Sequence, residues 1–274
     1  MFPVSYCEGM SVHSASQPIG DLLRDWRQRR RFSQLDLACE AEISQRHLSF
    51  IESGRSTPSR EMILHLAEQL EVPLRERNAM LLAAGYAPTF AERALDDPEM
   101  VEARRALDVI LKGHEPYPAL VVDRHWTLIA ANASVPPLLA GVEPKLLEPP
   151  VNVMRLSLHP RGLAPRIANL RAWKTHAIER LRRQHRATGD KAIEALLSEI
   201  SGFGYAGQAT DEQEPANSTA LDVAVPLKLR SDAGLLSFLS TTTIFGTAVE
   251  ITLSELVLEA FYPADAATAA ILRG

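Results

Sequence analysis

Residues 33–54, SQLDLACEAEISQRHLSFIESG, constrain the fold of this chain more than any other segment. Ser33 and Ser44 are of a type that caps helix N-termini, and each stands directly before a glutamine. Gly54 is typical of the left-handed residue that follows a helix C-terminus. The sequence therefore predicts two short helices joined by a tight turn at residues 42–44, with the second helix ending before Gly54.

The second of these helices has one apolar and one polar face. Leu48 and Ile51 lie three residues apart, so they bury the same side of the helix. The other side presents polar side chains: Gln45, Arg46, His47 and Ser49. Glutamine and arginine near a helix N-terminus pair bidentately with adenine and guanine edges, and the major groove admits such a helix. The helix pair therefore predicts a sequence-specific DNA-binding surface.

Apolar stripes on both sides of the helix pair predict a five-helix bundle with its own small core. In the first helix of the pair, Leu35, Ala38 and Ala41 are expected to face the second. The flanking stripes are Ile19, Leu22, Leu23 and Trp26 before the pair, then Met62, Ile63, Leu66, Ala67 and Leu70, then Leu74, Leu81 and Leu82 in a helix opened by Pro73 and stopped at Gly85.

This N-terminal region resembles the Xre or Cro repressor type of helix-turn-helix domain. The matching segments are SQRHLSFIESGRSTPSREMILHLAEQL and LRERNAMLLAAGYAP, the second being similar to the MmyB-like branch of that family. The resemblance implies DNA contacts by a phosphate-binding Gln34, the base readers Gln45 and Arg46, the groove neighbours His47 and Phe50, and the backbone contact Arg55. The alternative is that these residues form only the solvated face of a helical bundle, or contact another protein.

Composition limits how DNA could be bound. The 274 residues carry a formal net charge of −5, which is unlike a nonspecific nucleic-acid coat. The positive charge must therefore be local, and five arginines could supply part of it: Arg24, Arg27, Arg29, Arg30 and Arg31. Because one such domain would bind weakly, we predict a homodimer on a two-fold related operator in double-stranded DNA.

The two cysteines, Cys7 and Cys39, are too few for a disulfide framework or a structural zinc site. Cys39 is interpreted as a packing residue of the first helix of the pair. No apolar run reaches membrane-spanning length, and residues 1–17 have the composition of a disordered tail without a secretory apolar core. We therefore expect a cytoplasmic protein with no membrane partner.

Domain boundaries are predicted at changes of composition. The helix-turn-helix domain covers residues 18–86, residues 87–97 read as a linker, and a second domain covers residues 98–274. Asp97 and Pro98 have the types expected of an N-cap and a first helical residue. The helix that they open carries a stripe up to Gly113: Val101, Leu107, Ile110 and Leu111.

The second domain is predicted to be α+β. ALVVD and WTLIA, joined by Arg124 and His125, read as a hairpin, and helical stripes follow over residues 167–181 and 193–200. Three further strands are predicted within residues 221–231, 234–245 and 247–262, with Pro226 marking a sheet edge or bulge. This layout predicts a five-stranded antiparallel sheet with inserted helices, which we expect on one face.

The second domain resembles the PAS-like ligand-binding domain of the MmyB-like transcription regulators. The matching segments are VVDRHWTLIAAN, NVMRLSLHPRGL and FGTAVEITLSELVLEAFYPADAAT. Glu250 departs from the aspartate expected before the final ITL. The resemblance implies a pocket for a small apolar carboxylate of the fatty-acid class, and no other cofactor.

Such a pocket needs a cation or donor for the carboxylate and apolar walls for the tail. Arg155 and His159 are spaced to share a helix face, and Asn132 could oppose them. The candidate wall residues are Trp126, Leu128, Phe238 and Phe245. Alternatively, the polar residues are surface pairs or caps and the aromatics are plain core.

An enzyme is the competing class, but the sequence has no HExxH, GxSxG or GxxxxGK[ST] motif and no defensible metal-ligand spacing. A haem-bearing PAS sensor that uses one histidine is a minor alternative. The better alternative is a helix-turn-helix protein without a small-molecule ligand, acting as an interaction or dimerisation module. If a ligand binds, the linker and the helix from Pro98 to Gly113 are the expected coupling elements to DNA.

Overall fold

The computed structural model describes residues 17–204, 225–245 and 248–273, which form two compact units. The helical unit contains residues 17–94 together with 248–254, and the sheet unit contains the described residues of 95–245 and 255–273. Residues 1–16 of the predicted tail and residues 221–224 of the third predicted strand lie outside the described residues. The predicted second domain is therefore interrupted, because residues 248–254 belong to the helical unit.

The first part of the helical unit has the predicted helices: α1 (Ile19–Arg29), α2 (Gln34–Glu40), α3 (Gln45–Glu52), α4 (Arg60–Gln69) and α5 (Leu74–Ala83). The Ser33 side chain accepts a hydrogen bond from the Asp36 N–H, and the Asp36 carboxylate accepts one from the Ser33 N–H. Together these two bonds make a capping box. Ser44 caps α3 by accepting from the His47 N–H. Gly54 follows α3 at φ +72°, in the left-handed region that glycine adopts without strain. The predicted caps are thus confirmed.

The core of the helical unit joins all five helices, with fully buried side chains at Leu23, Leu37, Leu48, Ile51, Ile63, Leu66, Met80 and Leu81. The predicted inner face of α2 was wrong at Leu35, which is 55% exposed, because Leu37 takes its place beside Ala38 and Ala41. Cys39 is exposed rather than packed.

The close approach of α1 and α3 depends on a glycine. A Cβ atom on Gly20 would lie 2.6 Å from the Ile51 carbonyl oxygen, so a larger residue there would push α3 away. The position of α3 is therefore set by backbone contact as well as by the apolar core.

The remaining elements follow in chain order: α6 (Val101–Gly113), β1 (Ala119–Val122), β2 (Leu128–Ala131), α7 (Val153–Leu158), α8 (Leu170–Thr188), α9 (Lys191–Ser201), β3 (Leu227–Ser231), β4 (Gly234–Ile244), α10 (Ile251–Ser254), β5 (Val257–Pro263) and α11 (Ala266–Arg273). All of them except α10 belong to the sheet unit. A 3-10 turn over Pro98–Met100, capped by Asp97, leads into α6 as predicted. The strand predicted from residue 247 was wrong in its start, because residues 251–254 are helical.

The five strands are antiparallel in the order β2-β1-β5-β4-β3. The hairpin is confirmed, and β3, directly after Pro226, is an edge strand. Leu120, Val122 and Val257 belong to one core with α8 and α9. Alternate residues on the opposite face, such as Leu258 and Ala260, line a groove with α6. Helices therefore lie on both faces of the sheet rather than on one.

Candidate functional sites

The N-terminal end of α3 presents the side chains that the sequence predicted to read DNA. Ser44, Gln45 and Arg46 are exposed, whereas Leu48 and Ile51 are fully buried. His47 and Ser49, also predicted to lie on the polar face, are partly exposed. The amphipathic partition of α3 therefore agrees with the predicted orientation of the helix.

One aromatic ring brings two predicted DNA contacts together. The guanidinium carbon of Arg46 lies 5.2 Å from the centroid of the Phe50 ring, and that of Arg55 lies 5.8 Å from the same centroid. Both distances allow cation–π attraction, which is worth about 0.5–1 kcal/mol at exposed sites. Arg46, Phe50 and Arg55 therefore form one cationic cluster, which we call the arginine pair on Phe50.

A buried ion pair fixes the base of α3. The Nε and Nη2 atoms of Arg27 donate to Glu52 Oε1 and Oε2 at 2.6 and 2.9 Å. Burial alone would raise the pKa of Glu52, but hydrogen bonds from Arg27 and Gln34 hold that pKa below its usual range. Glu52 is 2% exposed, so this pair lies in the interior. It ties α1 to α3.

Gln34, Arg27 and Arg30 have partners within the helical bundle. Gln34 Nε2 donates to Glu52 Oε2 at 2.9 Å, so in this structure the side chain expected on a phosphate belongs to the buried network. Arg30 donates to the carbonyl oxygens of Leu70 and Glu71 at 2.8 and 2.9 Å. Of the five arginines of the predicted cationic patch, Arg27 is buried in its pair with Glu52, whereas Arg30 is partly exposed while its guanidinium group bonds to the end of α4.

A cavity of about 280 Å³ in the sheet unit contains the predicted carboxylate anchor. It is lined by His125, Thr127, Asn152, Arg155, Ala192, Ala195, Leu196 and Glu199, and we call it the Arg155 cavity. Arg155 makes a bidentate pair with Glu199, with N···O distances of 2.6 and 2.8 Å. Hydrogen bonding within this pair raises the pKa of Arg155 and lowers that of Glu199. The positive charge of Arg155 is thus paired with a carboxylate of the same chain, that of Glu199.

A histidine–aspartate hydrogen bond lies at the Arg155 cavity. His125 Nε2 is 2.8 Å from Asp190 Oδ2, and this hydrogen bond holds the pKa of Asp190 far below its ordinary value. Asp190 also caps α9 by accepting from the Ala192 N–H. The sequence predicted His125 only as part of the turn that joins the two hairpin strands. Its approach to Asp190 depends on a tertiary contact that no local spacing reveals.

The structure does not bring His159 and Asn132 to Arg155 in the predicted way. His159 follows α7 in an extended conformation, and its Nδ1 accepts from the Arg161 N–H at 3.0 Å. Asn132 is buried; its amide donates to the Leu111 and Tyr117 carbonyls, and its Oδ1 accepts from the Ala119 N–H. The predicted helical face and the predicted opposition across the cavity were therefore wrong.

The four predicted wall residues lie in different surroundings. The Trp126 indole N–H donates to Gln184, and the centroid of the Trp126 ring lies 4.4 Å from the guanidinium carbon of Arg180. Leu128 packs in a cluster with Val142, Val151 and Leu156. Phe238 is 1% exposed and meets the Phe261 ring edge-on. These residues therefore do not form one apolar pocket with Phe245.

Phe245 lines a groove of about 250 Å³ between α6 and strands β4 and β5, which we call the α6 groove. Its lining is largely apolar: Ile110, Gly113, His114, Thr241, Thr243, Ile244, Phe245, Leu258, Ala260 and Tyr262. His114 Nε2 lies 3.0 Å from the Phe261 carbonyl oxygen, and its ring meets Tyr262 edge-on. The sequence did not predict this groove. Ile110 belongs to the predicted apolar stripe of α6 but is exposed, so the core buries only part of that stripe.

Comparison with known proteins identifies the family. Residues 103–274 match the family described as the MmyB-like transcription regulator ligand binding domain. The chain belongs to the MmyB-like transcription regulators. Residues 18–80 of this regulator match the family described as helix-turn-helix domain. These matches confirm a helix-turn-helix domain in the first region and the MmyB-like resemblance of the second.

One curated relative also matches this MmyB-like regulator. It comes from Methanoculleus marisnigri and carries the provisional name "HTH-type transcriptional regulatory protein". The two sequences are 35% identical over 120 residues, which cover 42% of this chain and 38% of the relative. The match therefore spans well under half of the relative's length.

Two further properties concern the described part of this MmyB-like regulator. None of its helices there has the length and apolarity needed to cross a membrane. Over the same residues, histidine, cysteine, aspartate and glutamate side chains form no group of three or more that could hold a metal ion.

Proposed function

We propose that this regulator binds a two-fold related operator in double-stranded DNA as a homodimer, with α3 of each copy in a major groove. The observation that carries the proposal is the exposed pair Gln45 and Arg46 at the N-terminus of α3, above a core that orients the helix. The arginine pair on Phe50 supplies local positive charge to a chain whose net charge is −5. A paired domain would strengthen the binding that one weakly charged unit gives.

Replacing Arg46 by alanine is expected to weaken operator binding by about 1–3 kcal/mol and to relax specificity at one base pair of each half-site. Footprinting and titration of an operator selected from random oligonucleotides would measure both effects. Arg273→Ala is the matched control, because Arg273 is an exposed arginine on α11 of the sheet unit, 5.9 Å from the centroid of the Tyr117 ring. Equal losses from the two substitutions would refute base reading by Arg46.

The ligand is proposed to be a small apolar carboxylate of the fatty-acid class, bound in the sheet unit so that operator affinity depends on occupancy. Arg155 supports this proposal because it lies in a cavity with a guanidinium group already oriented toward a carboxylate, that of Glu199. A ligand carboxylate would replace Glu199 as the partner of Arg155. The apolar neighbours Ala192, Ala195 and Leu196 would contact the ligand's first methylene groups.

Dodecanoate is therefore expected to raise the unfolding temperature of the protein, and Arg155→Leu to remove that rise. At about 100 times the dissociation constant the added stability is about 2.7 kcal/mol, enough to be measured by thermal unfolding. Arg182→Ala is the control, since Arg182 also forms an arginine–glutamate ion pair, with Glu179, but does so on α8 outside the cavity. A thermal shift that survives in Arg155→Leu would remove Arg155 as the anchor.

The second candidate is a regulator whose sheet unit only holds the dimer. It is favoured by the Arg155–Glu199 pair, which satisfies both charges internally, and by cavity volumes of about 280 and 250 Å³. Ligand pockets more often have about 300–1,000 Å³. Equal operator affinity with and without dodecanoate, together with a dimeric mass, would support this candidate.

A further inference from the structure

The connection between β4 and β5 belongs to the helical unit rather than to the sheet unit. The described residues of this connection, 248–254, include α10 and are grouped with residues 17–94. We call residues 248–254 the clasp. The chain thus passes from β4 to the clasp and returns to β5, so the sheet and the helical unit are joined covalently at both ends of the clasp, in addition to the junction at residues 94 and 95.

The clasp is hydrogen-bonded to the segment that follows α5. Ile251 N–H donates to the Ala91 carbonyl at 2.9 Å, and the Thr252 hydroxyl donates to the Arg93 carbonyl at 2.6 Å. The Arg93 N–H donates to Glu250 Oε1 at 2.7 Å. Ile251 is also buried, with 1% of its surface exposed. The backbone of residues 91–93 is therefore held from both its donor and its acceptor side.

Glu250 has two structural roles in the clasp. Besides accepting from Arg93, its Oε2 accepts from the Leu253 N–H at 2.8 Å, which caps the single turn of α10. The side chain is buried, with the residue 8% exposed. Removing this carboxylate would therefore leave two backbone N–H donors without their partner and would loosen both α10 and residues 91–93.

The segment held by the clasp is in turn fixed to α5. Asn78 Oδ1 accepts from the Thr89 and Phe90 N–H groups, and Asn78 Nδ2 donates to the Phe90 carbonyl. Arg75 pairs with Glu92 at 2.6 Å. These contacts lie in the stretch predicted as a linker, which is therefore anchored over residues 89–93. A displacement of the clasp would act directly on α5, whose Met80 and Leu81 share the core that positions α3.

Both cavities of the sheet unit adjoin the ends of the clasp along the chain. Ile244 and Phe245, just before it, line the α6 groove together with Leu258 of β5. Glu255, just after it, lies 3.6 Å from Arg124, the neighbour of His125 in the Arg155 cavity. Filling either cavity would therefore act on residues that directly precede or follow the clasp in sequence.

We propose that the clasp is the coupling element through which the sheet unit controls the helical unit, with Glu250 as its positioning residue. This inference rests on the proposed function, because it names the route by which ligand occupancy reaches DNA. The coupling acts through a change in how residues 89–93 brace α5. It differs from the expected route through the linker and α6, because hydrogen bonds from the clasp act on linker residues 91–93.

A double-mutant cycle on the full-length chain tests the proposal without requiring a ligand. Thr243→Trp fills the α6 groove, and Glu250→Ala releases the clasp. Hydrogen exchange of residues 74–94 and operator affinity are measured in the wild type, both single variants and the double variant. Thr243→Trp is expected to change at least one of the two readouts by about fivefold or more when Glu250 is present, and to change neither when it is absent.

Asp265→Ala is the matched control, since the Asp265 carboxylate caps α11 in the sheet unit by accepting from the Thr268 N–H at 2.7 Å. It should leave the effect of Thr243→Trp intact. If Glu250→Ala fails to fold, Thr252→Val takes the place of that variant in the cycle. Thr252→Val removes only the hydrogen bond from the Thr252 hydroxyl to the Arg93 carbonyl. An equal effect of Thr243→Trp with and without the clasp, or no effect in either background, would overturn the proposal.

The exchange readout separates this inference from the proposed function. If no variant binds any operator, the function fails, yet the exchange rates of residues 74–94 still decide whether the clasp couples the units. If the operator is bound and Thr243→Trp is silent in both readouts, the clasp fails while DNA binding stands.

Discussion

Replacing Glu52 by alanine should lower the free energy of unfolding of the helical unit by about 3–5 kcal/mol. The substitution leaves the Arg27 guanidinium, a group only 9% exposed, without the carboxylate that accepts its Nε and Nη2 hydrogens. An unpaired buried charge costs far more than the pair itself contributes. Chemical unfolding of the full chain, followed by a probe of the helical unit such as Trp26 fluorescence, would measure the loss.

The physical reason predicts a partial rescue. Arg27→Met combined with Glu52→Leu removes both charges and fills their volume, so the double variant should be more stable than Glu52→Ala alone. A loss below about 1 kcal/mol in Glu52→Ala would mean that water reaches Arg27 and that the pair is not interior. Since Glu52 ends α3, the same variants would show how strongly this pair sets the position of the recognition helix.

The pair also predicts a pH dependence. The pKa of Glu52 in the folded protein lies below that of an unfolded glutamate, about 4.3, so the unfolded state binds the proton more readily. The stabilisation from Glu52 is therefore complete above the unfolded pKa and declines as the pH falls toward the folded one. Unfolding curves of wild type and Glu52→Ala should converge as the medium becomes acidic; a constant gap would contradict the assignment.

The helices and their order in the first domain could be predicted because their signals are local. Ser33 and Ser44 cap adjacent amides, and Gly54 supplies a positive φ, so each acts within one turn of its own position. The error at Leu35 arose because α2 spans Gln34–Glu40 only, and a helix of seven residues fits more than one apolar face. Its partner helices decide which face is buried.

The ligand residues could not be placed for the opposite reason. Arg155 meets Glu199 of α9, 44 residues further along the chain, and His125 meets Asp190, 65 residues further along, so both pairs depend on how α9 packs. Asn132 directly follows β2 and was predicted to oppose Arg155 and His159. Its amide, however, serves three backbone groups of β1, α6 and the loop between them. Side-chain type alone does not distinguish a ligand contact from such a brace.

The clasp escaped prediction because its sequence is ambiguous. Residues 247–262 alternate well enough for one long strand, and the β-branched residues Ile251 and Thr252 favour that reading. In the structure Glu250 caps a single helical turn, and Ile251 is buried. A buried carboxylate with two backbone donors outweighs the weak strand preference of four residues.

Phe238→Ala is the second substitution with a large expected effect, about 3–5 kcal/mol of lost stability in the sheet unit. Phe238 is 1% exposed, lies on β4 and meets Phe261 of β5, so truncation would leave a buried cavity against the sheet. Thermal unfolding in the absence of any added ligand would report the loss. This outcome would assign Phe238 to the core rather than to the wall of a ligand pocket.

Phe245→Ala provides the contrast, because Phe245 is partly exposed at the edge of the α6 groove. A large-to-small change there removes little buried volume and should cost well under the loss in Phe238→Ala. If instead Phe238→Ala unfolds near the wild-type temperature and only the response to dodecanoate disappears, Phe238 lines an apolar pocket that opens in solution. Phe238 and Phe245 are the same residue type, so the sequence does not distinguish them. Comparing the two variants therefore distinguishes a packing role from a ligand-binding role, because the two side chains lie in different surroundings.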